Sequence, residues 1–214
     1  MSIALGRSLK DKIRGAEPIF GPWIGIPHPI VVELAARLDF DFLLVDGEHS
    51  PIDAHSLSAL LPSADLHRKP VIFRPRWNGP SDIKTALDAG AVGVMIPMVD
   101  SAEEAREVVD ACKYPPQGRR GIGPWRASDY YNDFDGHVRA ANDATTVIVQ
   151  IESAKALENV DAIAAVDGVD VLFAGPADLS ASLGLTVGAF SEALVDALAR
   201  IAGAARAAGK VAAI

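Results

Sequence analysis

KPVIFRPRWNGPSDIKTALDAGAVGVMIPM (69–98) holds one complete strand–helix–strand unit, and its reading decides the fold. KPVIFRP (69–75) is a short apolar run of strand length, with Pro70 tolerated at its start. A helix is expected over about Pro80 to Ala89, with Ser81 and Asp82 in its first turn. GVMIPM (93–98) then returns to a continuous apolar run. Neither strand alternates polar with apolar residues, so both faces must be covered, as in a parallel sheet packed between helices.

The same beat extends in both directions. GPWIGI (21–26), FDFLLVD (40–46), TTVIVQIE (145–152), GVDVLFAG (168–175) and GKVAAI (209–214) read as further strands. A helix is expected over about 28–38, with Ile30, Val31, Leu34 and Leu38 as its apolar positions. Others are expected over about 53–61, 154–165 and 191–208, and one more is capped by Ser101 with Glu103 and Glu104 at its positive end. The opening MSIALGRSLKDKIRG (1–15) is polar and helix-like rather than a secretory leader. Residues 113–145 break the rhythm with YPPQGRRGIGPWRASDYY and a short helix near Phe134–Ala141. Such a long excursion is usually functional or mobile.

Seven beats predict a single-domain (β/α)8 TIM barrel over residues 1–214, with the last βα unit missing. A native chain longer by roughly one βα unit, about 40 residues, is the corresponding expectation. A doubly wound open sheet is the alternative. It would usually bring a glycine fingerprint after the first strand, where this chain has IPHPI (26–30).

A net charge of −8 argues against a nucleic-acid partner, because phosphate binding needs a basic face. Arg119 and Arg120 form the only basic cluster. Cys112 is the sole cysteine, so no internal disulfide is possible and a reducing cytoplasm is the default. No apolar run reaches the length of a membrane span.

Catalytic groups of such barrels sit at the C-terminal ends of strands. Asp46, Glu48 and His49 follow the second strand, Arg74 ends the third, and Gln150 and Glu152 end the fifth. Gly175, Pro176, Ala177 and Asp178 follow the sixth. Singly, such residues often just cap the next helix; together at four strand ends they point to one site. Glu152 and Asp178 are hard oxygen ligands suited to Mg²⁺ or Mn²⁺. Spacing alone fits equally a structural pair, with Asp178 capping a short helix in ADLSASLG (177–184) and Glu152 starting the helix after the fifth strand.

His49 lies three residues after Asp46, and a carboxylate can fix an imidazole for general-base work, although an isolated loop histidine is more often structural. An inward Arg74 could stabilise an enolate or bind a carboxylate. It could also pair with Asp46 or Glu48. Trp23 reads as core, His55, His67 and His137 as surface, and His28 as a residue at the mouth of the barrel. Trp125 and Arg126 suit either a lid or subunit packing. Lysine-dependent chemistry is disfavoured, because only Lys155 lies near the expected mouth and it is already helical.

Several blocks resemble the HpcH/HpaI aldolases, the class II pyruvate aldolases. They are FDFLLVDGEHSP (40–51), RPRWN (74–78), IKTALDAGAVGVMIPMV (83–99), KYPPQGRRGIG (113–123), VQIES (149–153) and GPADLSASLG (175–184). The resemblance implies a (β/α)8 barrel and reversible aldol cleavage of 4-hydroxy-2-keto acids to pyruvate, or hydroxypyruvate, plus an aldehyde. It implies a divalent metal, Mg²⁺ or Mn²⁺ with Co²⁺ as a further option, held by Glu152 and Asp178. His49 would move protons with support from Asp46, and Arg74 would stabilise the enolate oxygen. The backbone around Ala177 and Asp178 would hold the pyruvate carboxylate. Gln150, Gly175, Pro176, Trp23 and Glu48 are expected to line the substrate, and Asp88 to reach a neighbouring subunit's site. A homo-oligomer follows, a hexamer built as a trimer of dimers. IPHPI and GPWRASDYY (123–131) depart from members acting on long dicarboxylates and look more like a branch acting on small hydroxy-aldehydes. The rivals are an acyl-CoA lyase of the citrate or malyl type and a non-catalytic 2-keto-acid binding protein.

Overall fold

The structure is a computed structural model and describes residues 2–214. Seven parallel strands follow one another in chain order, which makes this an α/β fold. The described chain divides into two compact units, residues 2–95 with 110–146 and residues 96–109 with 147–214.

The first unit opens with helix α1 (Ser2–Ile13), strand β1 (Trp23–Ile24) and helix α2 (Pro29–Ala36). Strand β2 (Leu43–Asp46), helix α3 (Ala54–Leu66), strand β3 (Val71–Arg74), helix α4 (Pro80–Ala89) and strand β4 (Gly93–Ile96) follow, the last residue of β4 beginning the second unit. β2, β3 and β4 are buried at every position, as their unbroken apolar runs require. Gly93 meets a physical need here. A Cβ on it would lie 2.5 Å from the Thr146 carbonyl oxygen.

Two expectations fail in this unit. The apolar stripe expected for α2 faces outward: Ile30 and Leu34, and Leu38 just past its end, are exposed, while Val32 and Ala36 are buried. The helix is too short and too apolar all round for its sequence to say which side is inner. Helix α3 runs five residues past the predicted end at Leu61, through Pro62 to Leu66.

Helix α6 (Phe134–Ala144) closes the long excursion, and α1 packs against it. Gly6 lets the two approach, since a Cβ there would sit 2.6 Å from the Ala144 carbonyl oxygen. Two buried lysines meet at the C-terminal end of α6. Lys10 Nζ donates to the Thr145 carbonyl at 3.0 Å, and Lys113 Nζ donates to the carbonyls of Thr145 at 3.0 Å and Asn142 at 2.5 Å. Ammonium groups there satisfy carbonyls that the helix leaves open and oppose its negative end. Arg126 pins the excursion itself, donating to the Ala89 carbonyl at 2.9 Å and pairing with Asp65.

The second unit contains helix α5 (Ala102–Cys112), whose last three residues belong to the first unit, strand β5 (Thr146–Ile151), whose first residue does too, and helices α7 (Ala154–Glu158) and α8 (Val160–Ala164). Strand β6 (Val171–Ala174), helix α9 (Pro176–Ser182), helix α10 (Glu192–Ala207) and strand β7 (Val211–Ala213) complete it. The helix expected over 154–165 is two helices, divided at Asn159, whose side-chain amide donates to the Asp100 carbonyl at 2.9 Å. Ser101 caps α5 as expected, accepting from the Glu104 N–H at 3.2 Å, and Glu104 returns a bond to the Asp100 N–H at 2.6 Å.

Lys113→Met should remove the charged donor from the end of α6 and lower unfolding stability by about 2 kcal/mol. Urea denaturation of the variant measures this.

Candidate active site

In the first unit the polar residues gather around one guanidinium. Asp46 and Arg74 are the last residues of β2 and β3 and stand in register across the parallel pair. The Arg74 fork therefore reaches Asp46 twice, Nε to Oδ1 and Nη2 to Oδ2, each at 2.8 Å. Its Nη1 lies 2.9 Å from Glu48 Oε2. The guanidinium sits 4.3 Å from the centroid of the Trp23 ring. Trp23 is thus not the core residue expected; it is 46 % exposed, and its ring forms a wall for Arg74. Burial alone would raise the Asp46 pKa, but the Arg74 hydrogen bonds and charge, with the N–H groups of Glu48 and His49, hold it below its ordinary 3.8.

The expected Asp46–His49 support takes a different form. Asp46 Oδ1 accepts from the His49 backbone N–H at 3.5 Å, so it shapes the loop rather than the imidazole. Glu48 is the carboxylate near the ring, 3.7 Å from Nε2, and the His49 side chain is exposed. Gly47 makes this tight turn possible. Its N–H donates to the Arg74 carbonyl at 2.7 Å, and a Cβ would collide with the Phe73 ring at 2.6 Å.

In the second unit the centre is Glu152, which is only 3 % exposed. Its Oε1 accepts from the Met98 N–H at 2.7 Å, and its Oε2 from the Gln150 amide at 3.0 Å. Gln150 and Glu152 are two residues apart at the end of an extended segment, so their side chains share a side. Gly175, just beyond β6, lies against the same carboxylate. A Cβ there would be 2.5 Å from Glu152 Oε2. Pro176 opens α9, Ala177 is exposed, and Asp178 stands exposed in the first turn.

The structural reading of Glu152 and Asp178 as helix caps fails on geometry. Ser153 caps α7, accepting from the Ala156 N–H at 2.9 Å. The N-cap of α9 is Gly175, with no side-chain bond. Neither carboxylate is used as a cap. A buried, doubly hydrogen-bonded Glu152 and a second carboxylate, Asp178, three residues beyond the glycine that covers it offer oxygen donors of the kind a hard divalent cation takes. Among the described residues no group of three or more His, Cys, Asp and Glu comes together as a full metal cage. Were such an ion held by these two carboxylates, its remaining positions would be open to water and substrate.

Met98 is the contact of Glu152 that sequence reasoning missed. It follows β4 in the left-handed region, at φ 53°, which a non-glycine side chain rarely adopts. That backbone turn aims its N–H at Glu152. Nothing in PMV (97–99) advertises the conformation. Asp88, expected to serve a neighbouring subunit, accepts from Arg120 Nη2 at 2.6 Å within this chain. His28 caps α2, its Nδ1 accepting from the Ile30 N–H at 3.3 Å.

Comparison with known proteins identifies the family of the chain. Residues 20–214 match the family model described as HpcH/HpaI aldolase/citrate lyase. A hydroxypyruvate/pyruvate aldolase of Deinococcus radiodurans is 42 % identical over 210 residues, covering 96 % of this chain and 76 % of the relative. A 4-hydroxy-2-oxo-heptane-1,7-dioate aldolase of Salmonella arizonae is 39 % identical over 204 residues, covering 95 % of this chain and 78 % of the relative. The crystal structure of an HpcH/HpaI aldolase/citrate lyase family protein from Burkholderia cenocepacia is similar at a TM-score of 0.91 and 35 % identity, over 96 % of this chain and 83 % of that one.

Asp46→Asn should lower stability on the order of 2 kcal/mol at neutral pH, less than the full loss of a buried pair because Glu48 still meets Arg74. The folded pKa of Asp46 is depressed, so its contribution is complete above the unfolded value and fades as pH falls through the folded one. Denaturation curves of the two proteins should therefore differ at pH 7 and converge in acid.

Proposed function

Because the chain belongs to the HpcH/HpaI aldolase/citrate lyase family, we propose that it catalyses the reversible aldol cleavage of 4-hydroxy-2-keto acids to pyruvate or hydroxypyruvate and an aldehyde. The observation that carries the proposal is the Glu152 carboxylate. It is buried beneath Gly175, bonded to Met98 and Gln150, and free of any capping duty. In this reading Glu152 and Asp178 hold a divalent metal, Mg²⁺ or Mn²⁺. Such an ion supplies Lewis-acid polarisation of the keto acid's oxygens.

The chain's own groups do the rest. In cleavage, the bond between C3 and C4 breaks, its electron pair moves toward the C2 keto oxygen, and the C4 hydroxyl gives up its proton. Arg74 meets the negative charge that grows on that oxygen. It can do so without searching, because Asp46, Glu48 and the Trp23 ring fix its plane. His49, exposed beside Glu48, takes the hydroxyl proton and returns it in condensation. Protonation of C3 then completes the keto acid. The backbone at Ala177 and Asp178 receives the substrate carboxylate, and Gln150 and Pro176 border it.

The reading includes a single (β/α)8 barrel domain, a cytoplasmic setting and a hexameric assembly in which Asp88 serves a neighbouring subunit. Its donor preference covers hydroxypyruvate as well as pyruvate, since the Deinococcus relative is named for both. No helix among the described residues is long and apolar enough to cross a membrane.

Pyruvate release from a 4-hydroxy-2-keto acid, followed with and without Mg²⁺ or Mn²⁺, tests the proposal. Activity should require the ion and vanish on chelation. Glu152→Gln should lower kcat/KM about 10³-fold, equivalent to roughly 4 kcal/mol of transition-state stabilisation. Turnover that persists after chelation refutes the metal assignment, and saturable keto-acid binding without turnover refutes the enzymatic one.

Gly175→Ala should act on the same carboxylate from above. The added methyl must push Glu152 aside, and overpacking of this kind lowers stability by about 1–3 kcal/mol. Mn²⁺ affinity, measured by calorimetry on the folded variant, should fall with it.

A further inference from the structure

Behind the first unit's chemistry lies a set of buried polar atoms that the chain does not satisfy. His137 is 4 % exposed, against its expected surface position, and neither ring nitrogen makes a hydrogen bond of good geometry, although the Ala127 backbone lies near enough to favour the protonated ring. Arg120 Nε and the Tyr114 hydroxyl are also buried without partners. The three side chains touch. The Arg120 guanidinium lies 4.5 Å from the Tyr114 ring centroid, and Tyr114 meets His137 edge-on at 6.2 Å between centroids. Native proteins rarely leave such atoms unmet, and each case calls for a cause. A second protein molecule cannot supply the bonds, because these atoms are closed off from the surface.

A small cavity lies against them. Arg120, His137, Thr145, Leu87, Val92 and Ala141 are among its walls, and it leaves about 10 Å³ for the centre of a water-sized sphere. That is close to the room one water molecule needs. Charge points the same way. Asp88 already balances Arg120 at 2.6 Å. Burial first, and then the Arg120 charge, pushes the His137 pKa down to about 4, so at neutral pH the ring carries one donor and one acceptor. The cavity therefore suits a small molecule that both donates and accepts.

We propose that this cavity is a binding site for a single ordered water, which accepts from Arg120 Nε–H and bonds to a ring nitrogen of His137. The Thr145 hydroxyl is a third partner. It already donates to the Ala141 carbonyl at 2.8 Å, so it accepts from the water. Three bonds are typical of a buried water. The water then holds the Nε of the guanidinium whose Nη2 holds Asp88, and it acts as a positioning element for that ion pair.

A high-resolution crystal structure of the intact protein tests this, with a parallel bromide soak. The expected result is a solvent peak within hydrogen-bond distance of Arg120 Nε and one His137 nitrogen, with no anomalous signal from bromide. An empty cavity overturns the proposal, and so does a bromide peak, which would make it an anion site. Melting of two variants gives an independent solution readout. With the water present, His137→Leu strands it and Arg120, and should lower Tm by about 3–6 °C, while His137→Gln keeps a polar partner and loses less. If the cavity is dry, leucine removes unsatisfied atoms, and a Tm for His137→Leu at or above that of His137→Gln refutes the site.

Discussion

A carboxylate withdrawn from water tolerates few arrangements, and Glu152 shows how many neighbours one such group recruits. Burying an ionised side chain is unfavourable unless its oxygens are met. Here one oxygen is met by a side-chain amide from its own strand and the other by a backbone N–H. The second of these exists only because Met98 takes a left-handed turn. The approach of the next strand's end is possible only because residue 175 lacks a side chain. Three positions on three separate segments are thus constrained by one charge. That is more than helix capping would demand, and it is why the carboxylate reads as a functional group.

The first unit solves the opposite problem, the placing of a cation. Arg74 is fixed by two carboxylates and an aromatic face, and the parallel register of β2 and β3 puts its principal partner directly opposite. Arginine suits this task better than lysine would, because its planar fork accepts a bidentate partner and stacks on a ring at the same time. The two clusters differ in sign and in the way they are held. Both occur where parallel strands end, the place where backbone hydrogen bonding stops and side chains become free to do chemistry.

Much of this was legible in the sequence for a physical reason. Parallel strands are covered on both faces, so VIFR and GVMI declare themselves as unbroken apolar runs. The polar residue that ends such a run, Arg74 or Glu152, stands out against it. What could not be read was the direction in which a residue points when its surroundings are decided far away along the chain. Ile30, Leu34 and Leu38 look like a core stripe and face solvent, while His137 looks like surface and is buried against Tyr114. Trp23 leaves the core because Arg74 offers its ring a cation. Asp46 does not support the His49 imidazole as spacing suggested, because Arg74 occupies its oxygens first. Met98 was invisible for a different reason. Its role lies in a backbone angle, and methionine carries no propensity for that angle.

The packing of α1 on α6 sets a timetable as well as a structure. Lys10 and Thr145, which share a hydrogen bond, lie 135 positions apart. At ordinary rates of synthesis, roughly 7 to 27 s pass between the making of one and the making of the other. During that interval α1, whose Leu5 and Leu9 are buried in the finished protein, has no α6 to pack against. The helix must wait on the ribosome with an apolar face exposed, at the stage when a nascent chain is most open to chaperones and to wrong partners.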